Sequence, residues 1–127
     1  PAKKVESEAS TPISKEAKTL QDVRRIFVAK MPNQLDEYVK SEIEKQLWGR
    51  VRLAGSREDA DAVFQGDIEN SADANIGSAT LMDLKGNVVL WKAEVGDKSS
   101  LLGIAKRGGS KKIAERLIEN LKREMNY

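Results

Sequence analysis

Neither cysteine nor histidine occurs among the 127 residues of this chain. Without thiols there is no disulfide, no thiolate nucleophile and no cysteine-ligated zinc. Without imidazole there is no histidine general base and no Ser-His-Asp triad. The lack of cysteine says nothing about redox compartment, because a chain without thiols is at home in either. Aromatic residues are few, two each of Trp, Tyr and Phe. They are not interleaved with basic residues in the way that single-strand nucleic-acid binders require for base stacking. No apolar run approaches the ~18 residues that a membrane-spanning helix needs. No signal peptide is visible, but position 1 is Pro1 rather than methionine, so that absence carries little weight.

What remains suits one domain, since domains cluster near roughly 100–150 residues. Residues 1–19 contribute little to a core. Pro1 to Pro12 mixes both charge signs with two prolines and almost no large apolar side chain, so it cannot offset the entropy of ordering. This segment reads as a flexible tether or an artificial appendage, and residues 20–127 as a single α/β domain. The net charge of +2 conceals a division. Residues 33–75 hold ten acidic and five basic side chains, a balance of −5, and residues 96–127 hold eight basic and four acidic, a balance of +4. Such a mixture is not a bulk polycation of the kind that coats nucleic acid.

Val23 to Lys30 is β-branched and largely apolar after two arginines, and predicts a first strand closed by Met31-Pro32. Leu35, Val39, Ile43 and Leu47 recur every four residues, joined by Tyr38, and predict a helix over about 33–48. Asn33 is its expected N-cap and Gly49 its left-handed terminator, with Asp36, Glu37, Lys40, Glu44 and Lys45 on the solvent side. Val51 and Leu53 suggest a short strand, and Gly55 to Asp59 a turn. Ala62 to Ile68 reads as a strand in which Gly66 marks a bulge or a close backbone approach. Residues 70–77 read as a polar loop. Ala79–Leu84 and Val88–Val95 form a hairpin turning at Lys85-Gly86-Asn87. Gly96 to Gly109 is expected to be irregular, with Ser110 capping a last helix whose stripe is Ile113, Ala114, Leu117, Ile118, Leu121 and Met125. The order β-α-β-β-β-β-α implies an α/β (α+β) two-layer sandwich, a mixed β-sheet of about five strands with both helices packed on one face.

Few residues suggest chemistry. Gly103 to Gly108 opens like a phosphate-binding loop, G-x-x-x-x-G, but Gly109 stands where that motif needs lysine. Nucleotide hydrolysis is excluded on that ground, and incidental anion binding stays open beside a plain loop-to-helix junction. Asp59, Asp61, Asp67, Glu69 and Asp73 lie close in sequence, yet their spacing matches no calcium loop. They read as solvated carboxylates at strand ends and in loops. Trp48 and Trp91 read as core or core-edge residues, given their apolar area. The segment Ser99 to Arg107 sets Leu101, Leu102 and Ile104 directly before Lys106 and Arg107. It is either a lid packed on the sheet edge or an exposed contact patch.

The run Ala60-Asp61-Ala62-Val63-Phe64-Gln65-Gly66, the hairpin from Asp83 to Trp91 and the closing helix resemble the amino-terminal domain of TolB and the envelope lipoprotein domains of the CsgG type. The likeness spans about residues 20–125. It implies a lipoprotein-like domain of the bacterial cell envelope or periplasm that contacts other proteins. The chain lacks the propeller of the first group and the pore-forming strands of the second, so the likeness carries over no catalytic residue.

The expected function is therefore a non-catalytic interaction domain, with no catalytic residue, cofactor, metal or small-molecule substrate. Its partner would be an envelope protein or an anionic membrane surface, nucleic acid being disfavoured. The alternative is an anion- or nucleic-acid-binding module using Lys106, Arg107, Lys111 and Lys112, and a hydrolase working with carboxylates alone ranks last. The expected contact surface comprises Leu101, Leu102, Ile104, Lys106, Arg107, Lys111 and Lys112. Burying one leucine contributes roughly 1.5–3 kcal/mol, whereas an exposed ion pair is worth only ~0–1 kcal/mol. On this reading Leu102→Ser weakens association while the unfolding midpoint in urea barely moves, and a large loss of stability would instead make the loop part of the core.

Overall fold

The computed structural model describes residues 19–70, 74–98 and 109–127. A single 3-10 turn at Leu20–Asp22 leads into β1, Arg25–Val28, in which Ile26 and Val28 are buried and Arg25 and Phe27 half-buried. That alternation is the two-residue period of a strand with unlike faces. After β1 the chain does not enter the first helix at Asn33. A 3-10 turn at Pro32–Gln34 holds Asn33 and Gln34 at φ 58° and 61°, and α1 begins at Leu35 and ends at Gln46. Gln34 rather than Asn33 is the cap position, and its side chain makes no capping hydrogen bond. Asparagine tolerates the left-handed region better than most residues, so here it turns the chain instead of capping it.

Leu35, Val39 and Ile43 form the buried stripe of α1, and Leu47 follows directly. Gly49 ends the turn at φ 84°, as its position implied, while the N–H groups of Arg50 and Val51 both donate to the Leu47 carbonyl. The remaining face is drier than its composition suggests: Asp36 and Glu42 are buried. Glu42 accepts from Gln46 Nε2 at 2.7 Å and lies 3.5 Å from Lys45 Nζ, and Gln46 also donates to the Glu115 carbonyl on the second helix. Helix against helix, not water, covers that side.

The remaining elements are β2, Arg52–Leu53; β3, Ala62–Asn70; β4, Ala74–Asp83; β5, Val89–Lys98; and α2, Gly109–Glu124. They form a five-stranded mixed sheet in the order β2-β1-β3-β4-β5. β1 runs parallel to β2 and β3, and β3, β4 and β5 form an antiparallel meander. Asp83 builds the β4–β5 turn: its carboxylate accepts the N–H groups of Asn87 and Val88, and its carbonyl accepts that of Gly86 at φ 73°. One row crosses the covered face through Val28, Phe64, Leu81 and Trp91, register partners in four successive strands. Both helices lie over it, α1 towards β1 and β2 and α2 towards β4 and β5, and they pack on each other. Phe64 and Trp91 meet with ring centroids 5.6 Å apart, and Trp91 Nε1 donates to Asn120 Oδ1 on α2 at 3.0 Å.

Three spans differ from expectation. The supposed loop at 70–77 is mostly strand, because Asn70 pairs with Asn75, Glu69 with Ile76 and Ile68 with Gly77. The alternation of a strand is masked here because its helix-side positions are Asn75, which is buried, and Gly77, while the one large apolar residue, Ile76, lies on the other face. Gly96 to Lys98 likewise belongs to β5. Ser110 lies within α2, whose first residue is Gly109 at φ 60°, and does not precede it. At Gly66 the expected close approach is present, and the β3–β4 pairing runs through it without a bulge.

Gly77 seats α2 on the sheet, since a Cβ there would come within 2.2 Å of Ile113 Cγ2. Gly77→Ala should cost about 1–3 kcal/mol through overpacking, read as a lower urea midpoint. Gly55→Ala, where a Cβ would meet nothing within 4 Å, should leave the midpoint unchanged.

Candidate functional site

The sheet face away from the helices is organised in rows. Register pairing aligns Phe27, Val63, Met82 and Val89 across four strands; the next rows read Gln65, Thr80, Lys92, then Asp67, Ser78, Glu94, then Glu69, Ile76, Gly96. A register shift at Leu81/Met82 leaves Leu90 without a register partner. This keeps Trp91 on the helix side while Val89 stays on the open side. Val63 is buried, whereas Val88 and Val89 are 45% and 51% exposed and Ile76 40%. A shallow concavity of about 670 Å³ follows the polar rows, lined by Gln65, Asp67, Thr80, Lys92 and Glu94. The face thus joins an apolar band to a mixed-charge field.

A second feature lies at the β2 margin. Arg24, Arg50 and Arg52 border a concavity of about 560 Å³ together with Trp48, Val51, Leu53 and Glu44. Arg24 Nη1 donates to the carbonyls of Gln21 and Val23, and Arg50 donates to the same two carbonyls. These acceptors are neutral, so they hold both guanidiniums side by side without cancelling their charge. Burial lowers the Arg50 pKa, and the neighbouring Arg24 charge lowers it further, with Tyr127 acting in the opposite direction. Arg25, by contrast, lies 3.5 Å from the Asp61 carboxylate. Trp48 is 78% exposed, and the Tyr127 hydroxyl donates to its carbonyl.

The residues nominated from sequence fare unevenly. Leu101, Leu102, Ile104, Lys106 and Arg107 lie outside the described residues. Lys111 is exposed on α2, and Lys112 pairs with Glu115 at 3.3 Å. Both border a small concavity that also holds Glu42, Lys45 and Glu115, a mixed field poorly suited to an anion. Among the carboxylates, Asp61 is buried rather than solvated. Its Oδ2 accepts the backbone N–H of Arg24 at 2.6 Å and that of Arg25 at 3.1 Å, tying the start of β3 to that of β1. Asp67 accepts the N–H of Ile68, and among the described residues no three acidic side chains gather as a metal site. Also among the described residues, no helix is long and apolar enough to cross a membrane. Trp91 packs in the core as expected, but Trp48 does not. Helix periodicity missed this because Trp48 lies past the last turn of α1, where the 3.6-residue stripe no longer decides direction. The grouping Trp48-Gly49-Arg50-Val51-Arg52 was the available signal.

No family model matches the chain, and no curated protein matches it. Solved structures do. A variant of the PelC dodecamer from Paraburkholderia phytofirmans is 12% identical over 77% of this chain and 87% of that one, with a TM-score of 0.56. A second PelC dodecamer structure from that organism is 13% identical over 77% and 86%, with a TM-score of 0.54. TolB from Acinetobacter baumannii is 13% identical over 81% of this chain but 28% of its own length, also with a TM-score of 0.54. At these identities the likeness is one of fold. It agrees with the TolB part of the sequence resemblance, while the CsgG part is not among what these structures show.

The two tryptophans should separate in stability. Trp91→Ala removes the ring that meets Phe64 and Asn120, and should cost about 3–5 kcal/mol. Trp48→Ala should stay within about 0.5 kcal/mol of the parent, as surface substitutions do. Urea denaturation followed by circular dichroism checks both.

Proposed function

We propose that the chain is a non-catalytic protein-interaction domain of the bacterial cell envelope, working on the periplasmic side. The observation that carries the interaction role is the sheet face away from the helices, where the apolar row Phe27, Val63, Met82 and Val89 ends in exposed Val89, next to exposed Val88 of the turn and beside a mixed-charge field. An apolar band rimmed by polar groups is the ordinary form of a protein contact surface. β5 adds a ten-residue strand that is, among the described residues, at the sheet edge and paired only with β4, the geometry on which an added strand can dock. The envelope setting draws on the fold shared with TolB and on the sequence resemblance. A lipid anchor of the kind that resemblance implies belongs to the same proposal. So does the absence of enzymatic activity, which fits a chain without histidine or cysteine.

PelC from Paraburkholderia phytofirmans is described as a dodecamer, so a second copy is one of the partners an experiment must distinguish. A photo-crosslinking residue replacing Val89 in the full-length gene product, expressed in cells, should give a discrete adduct in the envelope fraction. Thr80→Glu on the same face should abolish it. Adducts at multiples of the chain's own mass would make the partner another copy. The same probe at Lys40, on the helix layer, should give none. Equal labelling at Val89 and Lys40, or recovery of the protein in the cytosol, would overturn the reading.

A further inference from the structure

We propose that the β2 margin is a docking site for a partner protein's extended segment carrying carboxylates interleaved with apolar side chains. This surface lies apart from the apolar row of the open face, so it stands or fails separately from the role proposed for that face.

Three guanidiniums border one concavity. Two of them, Arg24 and Arg50, are held by the same pair of backbone carbonyls, neutral acceptors that do not cancel the positive charge and that leave other N–H groups of each guanidinium available. Placing two like charges together is unfavourable: the Arg50 pKa is lowered first by burial and further by the neighbouring Arg24 charge. Arg52 is exposed on β2, beside Arg25 in register; its backbone N–H donates to the Arg24 carbonyl, and among the described residues its guanidinium has no hydrogen-bond or ion-pair partner. An incoming carboxylate would relieve this repulsion, and a guanidinium offers it two parallel N–H donors.

The rest of the lining narrows the ligand. Val51 and half-buried Leu53 form an apolar floor, and Trp48 stands at the rim with 78% of its surface exposed. Such a surface takes aliphatic side chains, and an exposed indole held at a rim is typical of contact hot spots. Glu44 borders the same concavity. Its negative charge disfavours a dense polyanion such as nucleic acid or a phosphate cluster, and is compatible with single carboxylates spaced by apolar residues. Among the described residues β2 is also a sheet edge, pairing only with β1, which suits an extended segment lying alongside it.

The test uses the whole chain and Trp48 fluorescence, since Trp91 is buried and serves as the internal reference. The probe is an end-capped octapeptide, Gly-Ser-Leu-Glu-Leu-Glu-Gly-Ser, against its counterpart with glutamine at both glutamate positions. The acidic peptide should shield Trp48 from acrylamide, a neutral quencher, and its affinity should fall as salt rises. Arg52→Gln should weaken binding about tenfold, the scale of one charged hydrogen bond, and Trp48→Ala by about as much through the lost apolar contact, the second read by a fluorescein label on the peptide. Arg52→Lys should recover only part of the loss, and all three variants should keep the parent's unfolding midpoint. Equal binding of the glutamine peptide, or an unchanged affinity in Arg52→Gln, would overturn the proposal. So would shielding by inorganic phosphate or by phosphatidylglycerol vesicles but not by the peptide, which would assign the margin to another oxyanion. Shielding that rises with protein concentration alone would assign it to a second copy and equally overturn it.

Discussion

The row Val28, Phe64, Leu81 and Trp91 is the constraint around which the molecule is arranged. Its four side chains sit in register across β1, β3, β4 and β5, so a one-residue slip in any strand would send its member to the uncovered face. Phe64 and Trp91 supply the largest apolar surfaces, and the indole N–H is satisfied by Asn120, so burying this tryptophan leaves no polar atom unpaired. Both helices close over the row, and the seat of α2 depends on Gly77 having no side chain where Ile113 enters.

Fixing one face of a sheet releases the other. Once Trp91 is held beneath α2, the irregularity at Leu90 lets Val89 keep its place opposite Met82. Apolar residues therefore occur on both sides of the sheet at one end, while the far end grades into Asp67, Glu69 and Glu94. The outer row is not needed to hold the helices, and its composition is free to answer to something other than the core.

Much of the architecture was legible because the decisive patterns are periodic. The stripes of α1 and α2, the β-branched first strand and the Asp83-to-Trp91 hairpin each repeat with the spacing of their element. What escaped was set by position in three dimensions. Asp61 looks like a solvated carboxylate, since nothing in its neighbourhood reveals that the N–H groups of Arg24 and Arg25, far back in the chain, converge on it. Asn33 looks like a cap, yet the turn required two left-handed residues. Asn75 to Gly77 looks like loop because its helix-side positions hold Asn75 and Gly77 rather than large apolar residues, Gly77 giving up its space to Ile113. Trp48 carries the same apolar area as Trp91, and only its place beyond the end of a helix sends it outward.

The arginine margin was hidden for a related reason. Arg24 and Arg50 are far apart in sequence and meet only because β2 returns beside β1, where the carbonyls of Gln21 and Val23 receive both side chains. That return also gives the first strand an architectural position out of proportion to its four residues. β1 lies between β2 and β3, with a neighbour on each side, so it is interior although it comes first. Shortening the chain past Arg25 would not trim an edge from the sheet. It would split the sheet, orphaning β2 and stripping α1 of the strand that anchors its floor, while the β3–β4–β5 meander kept every hydrogen bond of its own.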